Sequence, residues 1–210
     1  MQGVKPWKAG IRLSPLAAGM MLLAAGTAAA EERTCQIEQT SGQASVSHEG
    51  KRSKAEVGMA LAAKDQLRTG ADGRIEVLCS DQVVVTIGAE TEIGLGSLVG
   101  EQGQDETIAM SLHRGIARFL APLRTWGQFN VHGPVAVASV RSTEWVMETP
   151  KRGTNVLVLD GSVTVRAKAG DGIILGPGHG VDVAPDGTMG EPKTWAPERV
   201  EKILKRLGLR

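Results

Sequence analysis

The chain has 210 residues, with 24 Lys and Arg against 23 Asp and Glu, for a net charge of +1. A nucleic-acid binder needs a concentrated surplus of cations, and this balance argues against one. Tyrosine is absent and aromatic residues make up 3% of the chain, which leaves few of the flat faces a carbohydrate platform stacks against.

The first thirty residues read as a secretory leader. MQGVKPWKAGIR carries Lys5, Lys8 and Arg12 and no acid, and LSPLAAGMMLLAAGTA follows without a charge. Ala28 and Ala30 then stand at small-residue cleavage positions before Glu31. This order is the three-part export signal, with residues 1–30 removed. The apolar run 13–30 is near the lower limit of about 18 residues for a membrane span, so a retained anchor is the alternative. The Ala-Ala-Ala ending favours cleavage. The leader holds three of the 24 basic residues and none of the 23 acids, so its loss takes the net charge from +1 to about −2. The expected product is periplasmic or secreted, and not an integral membrane protein after cleavage.

Two cysteines follow, Cys35 and Cys79. In an oxidising compartment they can pair; the alternative is two buried thiols. Export favours the pair. Closing a loop of about 45 residues is worth roughly 4 kcal/mol in the chain-entropy model.

From residue 74 onward the chain reads as short strands separated by turns. RIEVLC alternates with period two, VVVTI is short and β-branched, and IAMSL, IARFL, QFNV, VAVASV, WVME, NVLVL, SVTVRA, GIIL and GVDVA follow. Gly, Asp, Asn or Pro turns punctuate most of them. Such runs make an all-β fold. In VLVLDGSVTV, Asp160-Gly161 marks either a hairpin or a corner between stacked layers. Residues 96–108 and 122–127 read as irregular, exposed loops, the second carrying Trp126. The last segment changes period: Val200, Ile203, Leu204 and Leu207 form one helical stripe. Pro197 and Glu198 suit the start of that helix, and Lys205, Arg206 and Gly208 suit its end. The expected role of the helix is a cap on one open end of the β body; a partner-binding helix is the alternative.

Catalytic sets do not assemble along the chain. His48, His113, His132 and His179 show no i, i+4 pair. Gly94, Gly96 and Gly100 miss the G-x-S-x-G spacing around Ser97. Glu90 and Glu92 share a side of an extended stretch, which a solvated strand face explains. Asp160, Asp171 and Asp186 stand in separate turns rather than in a calcium loop. No cofactor or metal is expected.

The order of the turns resembles the FecR domain family. Leu67, Thr69, Gly70, Gly73, Arg74, Glu76, Leu78, Asp81, Val85, Ile87, Thr91 and Ile93 fill its first motif, although Ser80-Asp81-Gln82 lacks the usual turn glycine. Gly115 in HRGIARF matches the middle motif. Arg141, Thr143, Glu144 and Trp145 match the next, with Ser142 where the family has glycine. Val156, Val158, Gly161 and Val163 fit Val-x-Val-x-x-Gly-x-Val, and Gly178-His179 stands where Gly-Gln often follows. The resemblance runs over residues 43–183. The best-known members pass an iron-uptake signal across the inner membrane to a cytoplasmic sigma factor. They do so through a cytoplasmic part and a membrane span that this chain does not show. The resemblance therefore implies the exported β-rich module alone, binding a protein partner.

These readings combine into one expectation. Residues 31–190 form an all-β, β-solenoid-like domain, with a β-sandwich as the alternative, and residues 191–210 form a short capping helix. The function is that of a non-enzymatic periplasmic protein-interaction or signal-sensing module; a cell-wall or glycan-binding module is the alternative. Trp126, on its loop, is either a contact residue or a core residue.

Overall fold

Period-two alternation becomes strand along most of the chain. In a computed structural model the described residues are Gly3 and residues 32–101, 107–122, 127–141, 143–168, 170 and 172–209. The expected leader, but for Gly3, lies outside them. The strands are β1 (Glu32–Arg33), β2 (Cys35–Ser41), β3 (Ala44–His48), β4 (Lys51–Lys54), β5 (Ala60–Leu61), β6 (Gln66–Thr69) and β7 (Arg74–Cys79). Next come β8 (Val84–Ile87), β9 (Glu92–Gly94), β10 (Gly100–Glu101), the long β11 (Thr107–Ala121), β12 (Gln128–His132) and β13 (Ala136–Val140). The series ends with β14 (Thr143–Thr149), β15 (Thr154–Gly161), β16 (Val163–Ala167), β17 (Gly172–Leu175), β18 (His179–Val183), β19 (Lys193–Thr194) and the helix α1 (Pro197–Leu207).

Two sheets face each other and share β11. The first runs β5-β2-β7-β8-β11-β14-β15-β18-β19. The second runs β4-β3-β6-β9-β11-β12-β13-β16-β17. Residues 107–114 of β11 lie in the second sheet and residues 115–121 in the first. A separate short pair joins β1 to β10.

The solenoid-like body expected from the strand rhythm is not what forms. A solenoid stacks successive turns in parallel, whereas here β11–β12 is parallel and every other pairing among the described residues is antiparallel. Strands β4, β5, β17 and β19 each pair on one side, so neither sheet curls closed. Nor are these two independent layers, because β11 belongs to both. The cause is the order of crossings. Strands β15 and β16 do not pair with each other: β15 lies between β14 and β18, and β16 between β13 and β17. Asp160-Gly161 is thus a corner, with Gly161 at φ +81°. By contrast β7 and β8 form a true hairpin, in which Gln82 takes the positive φ (66°) of the missing glycine.

Alternation decides what is inside. In β7 the pattern places Ile75, Val77 and Cys79 inward. The facing sides of both sheets contribute to a single core that includes Ile37, Leu67, Val85, Met110, Val131 and Val165. At its centre Trp145 stacks on Phe119 at 5.0 Å, and Phe129 meets Trp145 edge-on at 5.3 Å. The stretch after β9, expected to be an exposed loop, is anchored instead. Leu95 and Leu98 are fully buried, and Gly96 sits at φ +55° against the Ala109 carbonyl, where a side chain would collide. Residues 102–106 and 123–126, including Trp126, lie outside the described residues.

The helix does not close an end of the β body. It lies on the outer face of the first sheet, where Trp195, Ile203 and Leu207 pack on Ile116, Val146 and Leu157. Burying each of those large side chains is worth about 1.5–3 kcal/mol. Charge guides the same docking. Arg199 pairs with Asp182 through both guanidinium ends, at 2.9 and 2.5 Å, and Arg206 pairs with Glu148. The Arg199 guanidinium also stacks 3.4 Å over the Trp195 ring, which rests on Gly180. Gly208 ends the helix at φ +69°, and the Arg74 guanidinium lies against that negative end of the dipole.

Cys35 and Cys79 face each other across β2 and β7 and are joined by a disulfide with Cα atoms 4.0 Å apart. Alkylation of the unfolded, unreduced protein is expected to label no thiol by mass spectrometry. Replacing both cysteines with serine should cost about 2–5 kcal/mol in chemical denaturation.

Candidate functional site

The residues that carry the sequence resemblance converge on the crossings between the sheets. The chain passes from β2 to β3 at Gly42-Gln43, from β6 to β7 at residues 70–73, and from β8 to β9 at residues 88–91. It also passes between the sheets within β11, at Gly115. At each crossing the backbone leaves a ladder, and its polar groups need other partners. They find one another. The Gly70 N–H donates to the Gln43 carbonyl at 2.7 Å, and the Glu90 N–H donates to the Gly70 carbonyl at 2.9 Å. The Thr69 hydroxyl donates to the Gly88 carbonyl at 2.6 Å and accepts the Thr91 N–H at 2.9 Å. The Thr91 hydroxyl accepts the Ile116 N–H at 2.9 Å, and its own hydrogen is within reach of the Ala89 and Ile116 carbonyls, each at 3.1 Å.

Sterics explain the glycines in this seam. Gly115 has φ +94°, and a Cβ there would overlap the Thr91 hydroxyl. A Cβ on Gly73 would overlap the Gln43 carbonyl. Thr69 and Thr91 are buried, and Leu67 is fully enclosed beside them.

Several of the remaining motif positions are tied into the fold as well. The Thr143 hydroxyl donates to the Ser162 carbonyl at 2.8 Å and ties the β13–β14 corner to the β15–β16 corner at Gly161. Glu144 accepts from Arg118 Nε at 2.7 Å. Trp145 is core, and Arg141 is exposed beside Ser142, which lies outside the described residues. Asp81 is buried; it pairs with Arg33 and accepts the Val83 N–H at 3.3 Å, while Arg33 Nη1 also donates to the Leu98 carbonyl at 3.3 Å. A buried pair of this kind is costly to split, because the partner left behind keeps its charge.

Outside these positions, one surface was not singled out from the sequence. The outer side of the second sheet holds a groove of about 480 Å³ whose lining includes Ser45, Arg52, Lys54, Arg68 and Arg114. Glu92 lies between two of these cations, 2.5 Å from Arg68 and 3.6 Å from Arg114. The signal was present in KRSK and in the parity of β6 and β11, but placing the cations side by side requires the register. At the far edge, His48 Nδ1 lies 2.6 Å from the buried carboxylate of Asp65. That hydrogen bond and the negative charge of Asp65 raise the His48 pKa above its usual value. Among the described residues, no group of three or more His, Cys, Asp and Glu could hold a metal ion. Among them too, no helix is long and apolar enough to cross a membrane.

Comparison with known proteins adds a family match to part of the chain and a likeness of fold. Residues 65–164 match the family described as FecR protein. Two crystal structures of a proposed anti-sigma factor from Parabacteroides distasonis share the fold. One has a TM-score of 0.56 at 18% identity, covering 66% of this chain and 63% of that one. The other has a TM-score of 0.55 at 17% identity, covering 66% and 64%. The chain thus spans less than two thirds of the length of these relatives, and at this identity the likeness is one of fold. No curated protein matches the chain.

The matched stretch contains the seam apart from Gly42 and Gln43, so the seam should be sensitive to single atoms. Thr91→Val keeps the shape but leaves the Ile116 N–H unpaired, and is expected to cost about 1–3 kcal/mol. Thr91→Ser keeps the hydroxyl and should cost less. Urea denaturation of the two variants measures the difference.

Proposed function

We propose, from the match of residues 65–164 to the family described as FecR protein, that the chain is an exported, non-enzymatic protein-interaction or signal-sensing module of the periplasm. The observation that carries this reading is where the family-matched side chains go. Leu67, Thr69, Asp81, Thr91, Thr143 and Trp145 are buried in seam, turn or core. They do not converge around an open pocket in which a substrate could react. Such a domain keeps a rigid double sheet and leaves recognition to its exposed faces. The likeness in fold to a proposed anti-sigma factor supports a regulatory role for this β body, with another protein as its partner.

A glycan platform draws less support. Phe119, Phe129, Trp145 and Trp195 are all buried, so the described residues offer no aromatic face for a sugar ring to stack on. The leader motif supports export, because the mature domain would then meet the oxidising conditions that a Cys35–Cys79 bond requires.

Photo-crosslinking residues placed at exposed Gln36 and Ser53, in protein expressed in the periplasm of its native host, test the reading. Discrete protein adducts at one of the two positions are the expected result. Absence of protein adducts, together with sedimentation of the protein with purified peptidoglycan, would contradict it.

A further inference from the structure

The two outer faces of this molecule differ in charge: the acids of one are paired, and the other carries a surplus of cations. On the first sheet the acids Glu144, Glu148 and Asp182 face outward, and each already has a cation: Arg118, Arg206 and Arg199. On the strands of the second sheet the acid is Glu92 alone among the described residues, while Arg52, Lys54, Arg68, Arg114 and Arg166 all lie on its outward rows. Among the described residues no helix covers that face; α1 lies on the other sheet.

Register turns this surplus into a pattern. Lys54 pairs with Ser45, Ser45 with Arg68, Arg68 with Glu92, and Glu92 with Arg114. One row therefore crosses the sheet, passing the bulge between Leu112 and Arg114 in β11, with a cation at every second strand. Neighbouring strands are about 4.8 Å apart, so the cations stand about 10 Å from one another. Glu92 holds the two guanidinium groups on either side of it. Arg52 and Lys54 make no ion pair among the described residues. Two other acids lie near the rim: Asp72, whose carboxylate accepts the Gln43 N–H at 3.1 Å, and the exposed Glu90 on the adjoining turn.

We propose that this groove binds an extended acidic peptide segment of a protein partner, with carboxylates at every third residue matched to the Lys54–Arg68–Arg114 row. The proposal rests on the protein-interaction reading above and names its surface and the chemistry of its partner. Three residues make one turn of a polyproline II chain and rise about 9 Å, so every third side chain returns to the same face at close to the spacing of the cations. Guanidinium groups take carboxylates through paired hydrogen bonds, and two of the three row cations are arginines. The groove is concave and about 480 Å³ in volume, which suits one extended strand. An anionic membrane would meet a flat or convex face instead, and large apolar side chains that could insert beside the row are missing from the described lining.

The test uses the mature chain and a labelled, end-capped peptide with glutamate at every third position and serine between, followed by fluorescence anisotropy. Saturable binding is expected, at least tenfold tighter than that of the same peptide with glutamine for glutamate. Raising the salt from about 50 to about 200 mM should weaken it severalfold. The Arg52→Gln, Lys54→Gln double variant should lose at least tenfold in affinity with an unchanged melting temperature, since neither side chain makes an ion pair among the described residues. Arg114→Gln should weaken binding as well. Equal binding of the glutamine peptide, undiminished binding by the double variant, or sedimentation with phosphatidylglycerol vesicles without peptide binding would each overturn the proposal. None of those results bears on whether the protein crosslinks to a partner at Gln36, on the opposite sheet, so the two readings fail separately.

Discussion

Everything in this fold depends on satisfying the backbone where it crosses between two sheets. A strand within a ladder has its N–H and C=O groups paired by its neighbours, but a chain that changes sheet leaves the ladder at the corner. An unpaired buried amide costs about 1–3 kcal/mol. Here several crossings sit against one another, and two threonine hydroxyls, on Thr69 and Thr91, supply the missing partners. Thr91 does so at the bend of β11, the strand that belongs to both sheets. Without that bend the two sheets would share no strand, and the core between them would have no fixed depth.

The seam also explains the division of labour in the molecule. Residues that look like a signature in the sequence are used up in holding the sheets together, and what remains for recognition is the pair of outer faces. One of these is covered by the C-terminal helix, which matches its cations to outward acids and seats Trp195 between Gly180 and Arg199. The other is open and cationic. An overall charge near zero is thus the sum of two unlike surfaces. Composition excludes a protein that is basic throughout; it says nothing of a basic face.

Much of the local structure was legible in the sequence. The alternation of RIEVLC forecasts the inward side of β7, and the Val200–Ile203–Leu207 stripe forecasts a helix with a buried face, because both depend on periods inside one segment. What was not legible depends on which segments become neighbours. VLVLDGSVTV looks the same whether its strands pair with each other or, as here, with β14 and β18 in one sheet and β13 and β17 in the other. The glycines around Leu98 look like a loop, although Gly96 is there to let the chain approach Ala109 closely. The cations of Lys54, Arg68 and Arg114 are far apart in sequence and become a row only through the registers of four strand pairs.

Native-state hydrogen exchange resolved by residue tests the central claim most directly, since it reports how each amide opens. The account predicts that the amides of Thr91 and Ile116 at the seam exchange only through global unfolding, as slowly as those of Val146 and Leu157 in the central strands. Exchange of the seam amides through a separate, lower-energy opening, while the central strands stay protected, would contradict it.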